Sequence, residues 1–234
     1  MNEFLRQNYF LLTYSVEFLA AVTGVFCYKK YRSTAAKYFI YFLVYSFFND
    51  LAGNYPLYLK YLKCDFLIQD SLFEKNYLWG TLFWFIGSML FYSFFYRRIF
   101  KSNFFKSILK ISTLIVLVIS IFQLFFNINI LYNGYISTIS IVSSLLIFMA
   151  ITLYFIEVLQ TDKIIYFYKS IYFYISSVLL IWWLITTPMI FYEIYFSTAD
   201  WNFVFLKWQI YLFANIFMYV TFTFALIFCK PEND

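Results

Sequence analysis

Apolar runs of roughly twenty residues, parted by short polar clusters, recur along the whole 234-residue chain. That length matches an α-helix crossing a hydrocarbon core of ~30 Å at about 1.5 Å per residue. None of the runs alternates over ~10 residues, as a barrel strand would. The pattern predicts an all-α membrane protein, a seven-transmembrane-helix bundle forming one domain over residues 1–234. The expected spans are Tyr9 to Tyr28, Tyr38 to Leu59, Tyr77 to Tyr96, Ser107 to Phe126, Tyr135 to Ile156, Ile171 to Tyr192 and Phe203 to Phe228. The longest connection, Lys60 to Asn76, sets Phe66, Leu67, Ile68, Leu72 and Phe73 among charges. It is expected to lie on the outer surface as a short amphipathic helix.

Polar residues inside the apolar runs fall at helical spacing. Thr13, Glu17, Ala21 and Gly24 share one face of the first span; Ser46, Asp50 and Asn54 share one face of the second, with Asn49 and Gly53 beside it. The third span repeats the pattern with Gly80, Trp84, Ser88, Tyr92 and Tyr96, the fifth with Ser137, Ser140 and Ser144, and the seventh with Lys207, Tyr211, Asn215 and Tyr219. These faces are expected to turn inward, where small residues let helices approach and polar ones bond across the gap. Gly53 to Pro56 in the second span and Pro188 in the sixth are expected to kink their helices near the outer end.

Composition fits only a membrane-embedded chain: mean hydropathy is +0.74, 64% of residues are apolar and 12% are charged. Basic residues set the orientation. Twelve of them, Lys29, Lys30, Arg32, Lys37, Arg97, Arg98, Lys101, Lys106, Lys110, Lys163, Lys169 and Lys230, fall on one side, against five (Arg6, Lys60, Lys63, Lys75 and Lys207) on the other. The N-terminus is therefore expected outside and the C-terminus inside. Such a basic inner rim suits anionic lipid, not nucleic acid. The first span, preceded by Glu3 and Arg6 and not by a basic cluster, is expected to stay in the mature chain.

Candidate chemistry is sparse. The chain has no histidine and three scattered cysteines, Cys27, Cys64 and Cys229, so no metal site, disulfide or cofactor is expected. The strongest candidates are Glu17 and Asp50, because a carboxylate at the centre of a membrane helix costs roughly 2.5–3.5 kcal/mol. Two readings stand. In one, desolvation keeps both carboxyls neutral and they lock helices 1, 2 and 7 through Asn49, Asn215 or a tyrosine hydroxyl. In the other, Glu17, Asn49, Asp50, Asn54, Gln209, Tyr211 and Asn215 line an outward-opening polar pocket for a small or lipidic ligand, a cation or a switching proton. Trp182 and Trp183, deeper than the other tryptophans, are expected to pack between helices; the others suit interface belts.

Sharper identities fit poorly. Lys207 lies at the outer end of the last span, away from where a retinal Schiff base would form. Transport is a third choice, since five glycines, three prolines and no visible repeat differ from inverted-repeat carriers. No paired catalytic constellation stands out, so an enzyme is not the expected reading.

The segments YLWGTLFWFIGSMLFYSFFYRRIF (77–100), YFYISSVLLIWWLITTPMIFY (172–192) and NIFMYVTFTFALIFCKP (215–231) resemble seven-span inner-membrane proteins of Bacteroidota, of the kind found in Flavobacterium-like genomes. The resemblance implies an inner-membrane protein encoded near two-component signalling genes. Its relatives often carry an acidic residue in the third span, where this chain has Trp84. The leading expectation is a non-enzymatic sensor or signalling partner. It would contact a cytoplasmic or membrane protein through the basic loops that carry Lys29, Lys30, Arg32, Arg97, Arg98 and Lys101. The alternative is a structural or accessory subunit of a larger membrane complex.

Overall fold

A computed structural model describes residue 5 and residues 7–161, 167–193 and 201–231, with the side chains of a few residues near 187–193 and 201–203 excepted. Glu3, Arg6 and Lys163 lie outside the described residues. The described residues are mostly helical, with no strand. Its elements are α1 (Tyr9–Tyr31), α2 (Ala36–Gly53), α3 (Tyr55–Tyr61), α4 (Tyr77–Ile99), α5 (Asn103–Asn127), α6 (Ser137–Leu159), α7 (Ile171–Glu193) and α8 (Trp201–Phe228). Five are long and apolar enough to cross a membrane: α1, α4, α5 with the 3-10 turn that continues it to Tyr132, α6, and α8 from Val204. The protein is thus an integral membrane protein. Of the other two expected spans, α7 contributes a shorter apolar stretch, Ile171–Thr186, and α2 is 18 residues long with Asn49 and Asp50 in its last turns.

The second expected span is interrupted at Asn54, within the Gly53 to Pro56 stretch. α2 stops at Gly53, and α3 begins at Tyr55 with Pro56 in its first turn, where a missing N–H costs nothing. The connection after it does not form the expected amphipathic helix. Lys63 and Asp70 take left-handed backbone, φ 58° and 57°, and between them lies only a 3-10 turn, Asp65–Leu67. At Lys63 the chain closes α3 with a Schellman motif. The Cys64 N–H donates to the Leu59 carbonyl at 2.8 Å and the Lys63 N–H to the Lys60 carbonyl at 3.1 Å, which satisfies two otherwise open acceptors.

The chain forms two compact units, the first from Met1–Phe47 and Thr161–Asp234, the second from Phe48–Gln160. In the first, α8 packs against both α1 and α7. The close seam of α1 follows its small residues: Ala20, Ala21 and Gly24 are buried, and a Cβ on Gly24 would come within 3.1 Å of the Ile40 side chain. Phe39 meets Phe222 edge-on at 4.9 Å. Tyr31, fully buried, shares its hydroxyl proton between the carbonyls of Leu226, 3.1 Å, and Cys229, 2.9 Å, the open acceptors at the end of α8.

In the second unit α4, α5 and α6 pack pairwise. Thr113 donates to the Leu109 carbonyl one turn back, so in its bond with the buried Ser93 the serine is the donor. Tyr96 of α4 lies against Tyr154 of α6, and a small apolar core of Leu131, Ile136 and Ile139 takes in Leu72, Tyr77, Leu78, Phe85, Ile86 and Leu124.

Candidate functional site

The residues expected to line one pocket fall in both units. Glu17, on α1 of the first unit, is only 2% exposed, one turn from the equally inward Thr13, whose hydroxyl oxygen finds no hydrogen-bond partner among the described residues. Also in the first unit, Gln209, Tyr211 and Asn215 of α8 are half-buried. Asn215 accepts a hydrogen bond from the Trp182 indole of α7 at 2.8 Å. That bond ties α7 to α8 and bears out Trp182 as an interhelical residue.

Asn49, Asp50 and Asn54 lie in the second unit at the Gly53 end of α2. Burial is centred on Ser46, Asn49 and Gly53, while Asp50 and Asn54 are half-buried. The inward face is therefore turned toward the positions first set beside it. Asn54 folds back to donate to the Asp50 carbonyl at 2.9 Å. Asn49 is reached by Trp79 at the start of α4, whose indole N–H points at the Asn49 side-chain oxygen, 3.0 Å, and its backbone carbonyl, 3.3 Å. Gly53, one turn after Asn49, makes room for that ring: a Cβ there would sit 3.1–3.2 Å from the indole. Phe83 and Tyr55 flank the indole, with ring centroids at 4.4 and 6.1 Å. The Tyr55 hydroxyl in turn donates to the carbonyls of Phe73 and Lys75.

Immediately beyond Trp79 the backbone changes winding. Residues Gly80–Ile86 form a π-helix, bounded by α-helix on both sides. π turns are rare and concentrate at functional sites, because the wider winding gives up good backbone geometry. Two contacts hold this one. Gly80 lets Tyr135 close in, so that a Cβ would meet the ring at 2.8 Å, and Thr81, fully buried, donates to the Tyr77 carbonyl at 2.8 Å. Tyr135 stands edge-on to both Tyr77, 4.9 Å, and Phe85, 5.4 Å, and Asp50 is close enough to act electrostatically on its phenol. The result is a polar pair at the end of α2, with Trp79 bonded to Asn49 and Tyr135 within electrostatic reach of Asp50, beside a non-α segment of a membrane helix.

The sequence singled out Asn49 and Asp50 and set Gly80 on the inward face of the third span, but did not bring Trp79 or Tyr135 to them. The available signal was the pair of glycines, Gly53 and Gly80, each lying against an aromatic ring. The π segment also explains why the expected face of α4 holds only in part: Ser88, Tyr92 and Tyr96 are buried, whereas Gly80 and Trp84, inside the segment, are half-buried.

Among the basic loop residues, Lys29, Arg32, Arg98 and Lys101 are exposed. Lys30 donates to the Leu226 and Ile227 carbonyls at 3.0 and 2.9 Å, and Arg97 donates through Nε to the Ser93 carbonyl at 3.2 Å. Both are thus occupied in their own units. Arg98 lies over the Phe94 ring, and the backbone N–H of Lys101 donates to the Glu157 carboxylate at 2.6 Å. The described residues hold no cluster of Cys, Asp or Glu able to bind a metal ion. Comparison with protein-family models, with curated proteins and with solved structures finds no match for this chain.

Proposed function

We propose that this protein is a non-enzymatic sensor or signalling partner of a bacterial inner membrane, with seven spans, its N-terminus outside and the Asn49–Asp50 cluster opening outward. The observation that carries the reading is the π segment of α4 beside that cluster. A segment that can trade π for α winding is a two-state element, and converting it would turn the rest of α4 by ~100°, one residue of helical winding. Ser93, Tyr96, Arg97 and Arg98 ride on that remaining part. A small cation or polar ligand held by the Asp50 carboxyl and the Asn49 amide, against Trp79 and Tyr135, would favour one winding. The change would then reach the loop of Arg97, Arg98 and Lys101, where a partner protein reads it. The seven-span count rests on the helical α2 and α7 in addition to the five longer spans, and the orientation on the basic residues.

The test is a thermal-shift screen of the purified protein with monovalent and divalent cations, amines and amino acids. At least one class is expected to raise the unfolding temperature of the wild type, and Asp50→Asn to remove that shift while unfolding within about 2 °C of the wild type without ligand. Equal responses in wild type and Asp50→Asn, or none in either, would remove the reading.

The accessory-subunit alternative would seat a partner on α5, the least covered of the five long spans among the described residues. α5 leaves a broad apolar surface uncovered, including Leu114, Ile115, Val118, Ile121, Phe122, Phe125 and Phe126. Isolation in mild detergent separates the two: a stoichiometric hetero-complex supports the subunit, a lone ligand-responsive chain the sensor.

A further inference from the structure

Basic residues gather at one end of the first unit, and the structure gives them a common floor. The Lys230 N–H donates to the Lys169 carbonyl at 3.4 Å, and Ser170 pairs with Lys230 in a single β-bridge, so the start of α7 and the end of α8 are joined there. The end of α1 is fixed to the same turn by Tyr31, which bonds the Cys229 carbonyl, and by Lys30. Lys30 also cancels the negative end of α8 by donating to its last carbonyls, while α7 presents its positive N-terminal end beside Ser170. Lys169 and Lys230 are exposed on this floor, with Lys29 and Arg32 at the same end of the unit. The neighbouring sequence segments are net basic: Lys29, Lys30, Arg32, Lys37, Lys163, Lys169 and Lys230 outnumber Asp162, Glu232 and Asp234.

The cations continue into an apolar track. Phe228 stacks on Phe224 at 5.1 Å and Phe224 meets Tyr174 edge-on at 5.8 Å, and the two phenylalanines remain 52% and 48% exposed. Phe167 and Tyr168, beside Lys169, are exposed as well. A cationic end leading directly onto aromatic rings matches a molecule with an anionic head and a hydrocarbon tail. A soluble phosphate would use only the first half.

We propose that this end of the first unit binds one anionic phospholipid, its phosphate between Lys169 and Lys230 and an acyl chain along Phe224 and Phe228. The site uses α7, α8 and the end of α1, and does not depend on the sensor reading.

The protein can be placed in bilayer nanodiscs of phosphatidylcholine, with or without a quarter phosphatidylglycerol, then extracted into detergent so that retained lipids are counted by native mass spectrometry. Wild type is expected to keep one phosphatidylglycerol and no phosphatidylcholine. Lys169→Gln/Lys230→Gln is expected to weaken retention about 30-fold, as two surface cations would. Lys169→Arg/Lys230→Arg is expected to restore it, and Lys60→Gln/Lys75→Gln to leave it unchanged. Phe224→Ala/Phe228→Ala is expected to shorten retention, and millimolar glycerol phosphate or inorganic phosphate not to displace the lipid. Undiminished retention in the double Gln variant, failure of the Arg pair to rescue it, equal retention of phosphatidylcholine, or displacement by glycerol phosphate would each overturn the proposal.

Discussion

The Trp79 indole N–H, shared between the side-chain oxygen and the carbonyl of Asn49, joins the start of α4 to the end of α2. The Trp79 indole answers an Asn49 side chain that is 7% exposed, so Trp79→Phe keeps the ring and strands the amide oxygen. The expected cost is roughly 1–3 kcal/mol, the desolvation penalty of a buried acceptor without its donor, read as a lower unfolding temperature in detergent. Asn49→Leu in the same background is expected to recover part of that loss, since it removes the orphaned group. Lys63 gives the opposite sign. Its left-handed backbone, φ 58°, costs a side chain about 1 kcal/mol that glycine does not incur, so Lys63→Gly is expected to stabilise the Schellman turn. Thermal unfolding that stays level or falls would show that the lysine side chain earns its place by contacts there.

At the level of helices the π segment makes the sharpest prediction. Deleting Phe83, an exposed residue within Gly80–Ile86, takes one ring from Trp79 but lets the segment rewind as α-helix while residues on either side keep their register. The variant is expected to fold with a stability change within about 1 kcal/mol. Deleting Leu90, equally exposed but in the α part, would turn Ser93 and Tyr96 by ~100° away from Thr113 and Tyr154 and is expected to cost several kcal/mol. Comparing the melts of the two deletions checks this. The same contrast explains what the sequence made legible. The inward face of α1, Thr13, Glu17, Ala21 and Gly24, could be read because its 3.6-residue period is uninterrupted from Tyr9 to Tyr31. In α4 the period shifts inside the π turn, and nothing in GTLFWFI announces the change of winding. Between Lys60 and Asn76 the apolar positions suggested a helix, but two left-handed residues stop it, leaving Phe66, Leu67 and Phe73 exposed. The pairing of Trp182 with Asn215 was hidden for another reason. Spacing places a residue on a face but does not name the side chain it meets on another helix.

Across the whole molecule, two compact units should show separate local stability. Tyr31→Phe removes the hydroxyl that serves the Leu226 and Cys229 carbonyls and is expected to cost about 1–2 kcal/mol, appearing as faster amide exchange in α1 and α8. Amides of α4, α5 and α6 are expected to exchange as in the wild type. Uniform acceleration along the chain would mean that the two units open together. At this scale the sequence was informative about the membrane and uninformative about the division. Hydrophobic length reports each helix's solvent, while the grouping of helices depends on which small and aromatic faces meet.

The bond from Lys30 to the end of α8 makes adjacent amines chemically unequal. Lys29 is open to an acylating reagent, whereas its neighbour must first release two carbonyls. A membrane-impermeant amine label applied to sealed vesicles of either sidedness should therefore tag Lys29 from one side only and Lys30 more slowly. One peptide then reports both which side the end of α1 faces and whether it was still folded when the reagent arrived.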